Sequence, residues 1–245
     1  MPNWVPCYIN FSGEEKAVQR VLDTISGKDE CKNKSAFDFN TLIPMPECLS
    51  VESGSMSYLA YAYYMVKIHS KLPTKRSSFY KSKADVIERV ERNLSISSQE
   101  MLELGKQLYE NEIKYGSIDW YDWCCSNWGT KWNACESSRN GTTICFRTAW
   151  SWPEPIMQKL AELCGELGVE FEGKWADEDC GNNAGYFYFD GGTDSVLDYD
   201  YYDSCSSDAY EAYIDCWGES ECIGRDDNGA YYHYECGESC PNNCQ

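Results

Sequence analysis

Apolar positions recur along the chain with two periods, and their order predicts an α+β fold. Residues 3–11 are rich in β-forming residues and predict a strand. Ser12-Gly-Glu-Glu15 has the form of a helix-capping box. Val18, Val21, Leu22 and Ile25 then follow at helical spacing, with Gly27 as a stop. Phe37, Phe39, Thr41 and Ile43 alternate, which predicts a second strand ending at Pro44-Met-Pro46.

The pattern returns a hundred residues later. Ile144, Phe146, Thr148 and Trp150 alternate on one face of a predicted strand. Ser151-Trp-Pro-Glu154 is a second capping-box pattern, and Ile156, Leu160, Leu163 and Leu167 form a helical stripe closed by Gly168. Val169, Phe171, Gly173 and Trp175 alternate with polar neighbours. The turn at Gly181-Asn-Asn-Ala-Gly185 leads into Tyr186–Phe189 as a hairpin partner. Two β-α-β units in tandem predict a ferredoxin-like, split βαβ antiparallel sheet with helices on one face. The stretch between them reads as helical, with Ser97-x-x-Glu100 capping a stripe of Met101, Leu104 and Leu108. The expected organisation is a core of residues 1–46 and 118–192, a helical insertion at 47–117, and a C-terminal extension at 193–245.

Charge separates that extension from the rest. The 245 residues carry 40 Asp and Glu against 21 Lys and Arg, a net −19. Residues 176–245 hold seventeen of the acids and one base, Arg225, a net −16; the first 175 hold 23 acids and 20 bases. An opposite patch runs from Lys67 to Arg92. Both are either solvated faces or, for the acidic end, a surface that repels nucleic acid and attracts basic protein. Tyr199, Tyr201, Tyr202, Tyr210 and Tyr213 stud the acidic end, and aromatics of this kind favour interfaces. The candidate partner contacts are Asp198, Tyr199, Asp200, Tyr201, Tyr202 and Asp203.

The 42% apolar and 15% aromatic content excludes wholesale disorder. The longest apolar run, Leu59–Val66, is half of what a membrane span needs. The opening Met-Pro-Asn-Trp-Val lacks a basic stretch followed by an apolar one, so a cytoplasmic location is expected.

Little catalytic chemistry is legible. There are two histidines, His69 and His233, and no phosphate loop, dinucleotide turn, nucleophile elbow or His-Glu-x-x-His pair. A non-enzymatic protein is expected. Asp177-Glu-Asp179 suits a divalent cation or a solvated turn. Fifteen cysteines without an export signal suggest a reducing compartment where disulfides are rare, and the nine between residues 7 and 180 read as small hydrophobes. No cofactor is expected beyond a structural zinc in the tail, for which Cys216, Cys222, Cys236 and Cys240 are the candidate ligands, with free thiols as the alternative.

One segment carries a resemblance. Four of nine tryptophans, Trp120, Trp123, Trp128 and Trp132, fall in residues 118–135. The core Asn-Trp-Gly-Thr-Lys-Trp at 127–132, Thr-Ala-Trp-Ser at 148–151 and Asn-Ala-Gly at 183–185, in that order, resemble the Api92-like (YubB ferredoxin-like) family of phage and plasmid proteins. Glu211–Gly218 resembles the family's closing helix, and the Cys-rich end departs from it. The resemblance implies a ferredoxin-like fold and a mobile-element origin, and brings no catalytic residues. The motif admits two readings. As a ligand cradle for a small molecule or nucleotide, Asn127, Trp128, Thr130, Lys131 and Trp132 supply indole faces, a hydroxyl and a cation. As a packed turn, the same residues serve the core. The functional expectation is a counter-defence protein that occludes a basic, nucleic-acid-binding surface of a host nuclease or CRISPR-type complex, with no direct nucleic-acid or membrane contact. The small-molecule cradle is the alternative.

Overall fold

Val5, Cys7, Ile9 and Phe11 are all buried and put one face of strand β1 (Trp4–Ser12) in the core, and β1 is central because it pairs with a strand on either side. A computed structural model describes residues 2–28, 34–74, 77–93 and 95–234. The chain divides into two compact units, 1–44 with 125–245, and 45–124.

In the first unit, β1 is followed by α1 (Glu15–Ile25), which buries the predicted stripe Val18, Val21, Leu22 and Ile25. The capping box at Ser12 does not form. Ser12 is still in β1, the N-cap is Glu14, and Glu15 opens the helix, so no side chain reaches back. A two-residue pair, β2 (Gly27–Lys28) with β3 (Lys34–Ser35), comes next. The strand expected at 36–43 is absent. Phe37 and Phe39 are fully buried, but Phe39–Thr41 is a single 3₁₀ turn. Side chains from elsewhere take its backbone donors: Asn133 Oδ1 accepts from Phe39 N–H at 2.8 Å and Ser137 Oγ from Ala36 N–H at 2.9 Å. The alternation records two rings entering a cluster with Phe146, at 5.1 Å and 6.0 Å, and not a ladder.

The second unit is helical. It holds α2 (Ser55–His69), α3 (Lys83–Glu91) and α4 (Ser98–Tyr115), and the division from the first unit falls within α5 (Trp120–Asn127). Its core joins Ala60, Tyr61, Met65 and Val66 of α2 to Val86, Val90, Met101 and Leu108. The Ser97/Glu100 capping box forms in full. Buried Asn111 donates to the carbonyls of Cys48 and Ile118, at 3.0 and 3.2 Å, tying the loops at either end of the unit.

The sheet resumes in the first unit with β4 (Cys135–Asn140), β5 (Thr143–Ala149), α6 (Glu154–Leu167), β6 (Glu170–Ala176), β7 (Ala184–Phe189) and β8 (Asp198–Tyr201). Its order is β4-β5-β1-β6-β7-β8, with every neighbouring pair antiparallel. The units β1-α1-β4 and β5-α6-β6 interleave, each crossing the other's first or second strand, which is the split βαβ plan. The partner strand of α1 is therefore β4, far along the chain. At α6 the second capping box also fails: Pro153 is the N-cap, and Ser151 Oγ donates to the Gly129 carbonyl. This helix buries Ile156, Met157, Leu160, Ala161, Cys164 and Gly165, while Leu163 and Leu167 are half-buried. Gly165 leaves no room for a side chain there, since a Cβ would lie 2.7 Å from the Gly192 carbonyl oxygen.

Finally α7 (Ser207–Trp217) and the pair β9 (Ile223–Arg225) with β10 (Tyr231–His233) complete the described chain. Among the described residues no helix is long and apolar enough to cross a membrane.

Candidate functional site

The Asn127–Trp132 segment sits where β5 ends. Trp128 is buried, its indole N–H donates to the Ile43 carbonyl at 2.9 Å, and its ring meets Phe39 edge-on. Buried Thr130 bridges a strand end: its hydroxyl donates to the Ala149 carbonyl at 2.8 Å and accepts the Ala149 N–H at 3.1 Å. Gly129 has φ +77°, and a Cβ there would lie 2.8 Å from the Pro155 ring, so only glycine suits. Asn127 is half-buried. These residues clasp β5, the α6 entry and the 37–43 segment together.

Lys131 and Trp132 are half-buried beside the clasp. Lys131 Nζ lies 4.3 Å from the Trp132 ring and 5.0 Å from that of Trp150, and Trp4 lies 5.9 Å from Trp132. Trp150 is 43% exposed and has φ +73°, uncommon for a bulky residue. Its N–H donates to the Asn3 carbonyl, and its carbonyl accepts from Asn183 Nδ2. Asp177, beside this corner, is buried and spends both oxygens on Asn3, Asp179 N–H and Asn183.

The other candidate surface is β8. Register places Tyr199 opposite Phe187 and Tyr201 opposite Gly185, so these tyrosines share the face of the core. There Trp152, Trp175 and Phe187 lie parallel, with Trp152 and Trp175 centroids 4.2 Å apart. Gly173 makes this possible, since a Cβ would meet both the Tyr8 carbonyl and the Phe187 ring. The Trp152 indole N–H donates to Tyr201 Oη at 2.9 Å, and Tyr199 Oη donates to Glu154 Oε1 at 2.8 Å. That bond to Glu154 raises the Tyr199 phenol above its ordinary range. Both tyrosines are thus anchored although partly exposed.

Asp198 and Asp200 point to the opposite face, beside exposed Tyr188 and Tyr186. The Tyr202 ring lies tilted against that of Tyr186, centroids 5.7 Å apart, and burial raises its phenol. Among the described residues no Lys or Arg pairs with Asp198, Asp200 or Asp203. The helix α7 lies on this same face. Lys174 binds Asp215 at 2.7 Å and Glu211 at 3.4 Å. Burial pushes the Lys174 ammonium down, but the hydrogen bond and charge of Asp215 outweigh it and raise the group above its usual value. Nearby Tyr8 is pushed up to about 12, chiefly by burial.

The cysteine candidates separate. Cys216 is half-buried on α7, its thiol pushed up to about 12 by burial and by Asp215, and Cys222 is buried in the following loop. Cys236 and Cys240 lie outside the described residues. Among the described residues no three His, Cys, Asp or Glu side chains group as metal ligands.

Two features of the helical unit escaped the sequence pattern. A cavity of about 440 Å³ is lined by Met56, Tyr58, Leu59, Phe79, Tyr80 and Arg89. The basic stretch there is partly neutralised: Arg89 binds Asp85 at 2.9 Å and lies over Tyr80, Arg92 binds Glu88, and Lys67 lies over Tyr63. The i, i+4 spacing of Asp85–Arg89 and Glu88–Arg92 was a signal for this. Lys75 and Arg76 lie outside the described residues.

Residues 127–217 match the family model described as the ferredoxin-like domain in Api92-like protein. Over this stretch, somewhat more than a third of the chain, the sequence is similar to the Api92-like family. The match runs from the clasp through α7, taking in both candidate surfaces apart from Trp4. The crystal structure of a protein api92 from Yersinia pseudotuberculosis is similar at 10% identity and a TM-score of 0.37, covering 83% of this chain and 99% of that one. No curated protein gives a match.

Proposed function

We propose that this is a binding protein whose acidic β8 surface docks on a basic surface of a protein partner. The observation that carries the reading is a rigid, exposed edge with unneutralised charge. Tyr199 and Tyr201 are fastened to Glu154 and Trp152, while Asp198 and Asp200 project from the opposite side of the strand and bind no cation among the described residues. Anchored aromatics lose little entropy on binding, and carboxylates steer encounter. The net −16 of residues 176–245 supports a partner that ordinarily binds phosphates. A host nuclease or CRISPR-type complex is the partner class that this charge and the resemblance to phage and plasmid proteins favour, which makes the protein a counter-defence inhibitor.

The test is a triple variant, Asp198→Asn, Asp200→Asn and Asp203→Asn, compared with the parent protein for capture of basic proteins at low and high salt, with thermal stability measured on both. Capture that falls with salt and with the variant, at constant stability, supports the proposal. Unchanged capture, or capture insensitive to salt, removes it.

A further inference from the structure

The two edges of the six-stranded sheet differ. The β4 edge is blunted: its register against β5 shifts between Cys135 and Ser138, Glu136 has φ +49°, and Ser137 Oγ bonds Ser35 and Ala36. At the other edge, β8 pairs with β7 alone among the described residues, and all four of its residues are exposed. The Tyr202 amide bonds the Ala184 carbonyl, so by the alternation of an antiparallel ladder the amides of Tyr199 and Tyr201 point away from β7. The Tyr201 amide is met by the Asp200 carboxylate at 2.9 Å. The Tyr199 amide and the carbonyls of Tyr199 and Tyr201 face outward at an edge whose register against β7 is unbroken and whose tyrosines are anchored.

Resting on the docking surface proposed above, we propose that the partner contributes an extended segment that pairs with β8 as a seventh strand, with Lys or Arg at alternate positions. The alternation follows from the edge itself. Asp198 and Asp200 share one face and call for cations there, while Tyr199 and Tyr201 on the other face accept apolar or aliphatic side chains. A second copy of this chain is disfavoured as occupant, because it would set Asp against Asp in a molecule of net −19.

The experiment uses the full chain and a fluorescent eight-residue peptide of alternating lysine and valine. Its counterpart is the same peptide with alternate backbone amides N-methylated, so that charge is kept and ladder donors are lost. The expected results are at least tenfold weaker binding of the methylated peptide, and slowed hydrogen exchange of the Tyr199 amide in the complex with the unmodified one. Tyr199→Pro, which leaves the β7 ladder intact because this amide is not part of it, should lose binding at least tenfold relative to Tyr199→Ala, with both variants checked for folding. Equal binding of the two peptides overturns strand addition and leaves the acidic docking surface standing. No binding of either peptide at low salt overturns both. If Tyr199→Pro does not fold, the peptide pair and the exchange of the Tyr199 amide decide the matter alone.

Discussion

Trp128 and Thr130 turn their polar atoms to the backbone of Ile43 and Ala149, whereas the carboxylates of Asp198 and Asp203 meet no cation among the described residues. Both segments combine aromatic rings with a charged or hydroxyl group, and by composition either could be a binding site. The difference lies in what each polar group would lose if removed. A buried hydroxyl bridging a strand end leaves a carbonyl and an amide unsatisfied when deleted, at a cost of about 1–3 kcal/mol. An exposed carboxylate on an edge strand leaves nothing behind. The comparison teaches that the polar groups beside the aromatic clusters divide by what they bind: those bonded to backbone hold the fold, and carboxylates that meet no cation among the described residues are available to a partner.

The largest effect expected from this contrast is at the clasp. Trp128→Ala should lower unfolding stability by about 3–5 kcal/mol, the range for a deleted core aromatic, in urea denaturation followed by fluorescence. A loss below about 1 kcal/mol would show that the clasp does not hold the core. Thr130→Val keeps the shape and removes the bridge to Ala149, so it should cost about 1–3 kcal/mol with no change in partner capture.

Lys174 tests the face under α7. Its pKa is higher in the folded protein than in the unfolded chain, so its pair with Asp215 stabilises fully below the unfolded lysine value of roughly 10.4. That contribution is lost as pH rises through the folded value. Solvent screening keeps the effect on the order of 1 kcal/mol or less. Melting temperatures recorded from pH 8 upward should show the parent protein losing an advantage that Lys174→Met never has. Parallel curves would assign the alkaline loss to other groups, such as the tyrosines.

The smallest stability effect and the clearest functional one belong together in the triple Asn variant of Asp198, Asp200 and Asp203. Stability should shift by less than about 0.5 kcal/mol per site. Association with a basic partner should slow about tenfold at low salt and converge with the parent at high salt. A large fall in stability would place these charges on the structural side of the comparison.

The periodic elements were legible because their burial is one-sided. The α1 stripe, β1, β5 and the alternation from Val169 to Trp175 all follow from residues that must leave water on one face. The Ser97 capping box was legible because its partners are three residues apart. Local patterns failed where a distant group won. Phe37 and Phe39 alternate like a strand, yet Asn133 and Ser137 take the backbone donors of their segment and Phe146 takes the rings. Ser151 matches a capping box, yet its hydroxyl goes to Gly129.

The sequence alone determined the helix-and-strand alternation, the acidic end and the motif that marks the Api92-like domain, since period, charge and order are properties of a chain read in one dimension. Tertiary structure decided which strand completes the first β-α-β unit. It also decided that Trp128 and Thr130 serve the core while Lys131 and Trp132 stay half-buried beside it, and that Asp198–Tyr201 form the open edge of the sheet. Those outcomes depend on hydrogen bonds and ring contacts between residues tens to more than a hundred positions apart, and no local pattern records the partner at the far end.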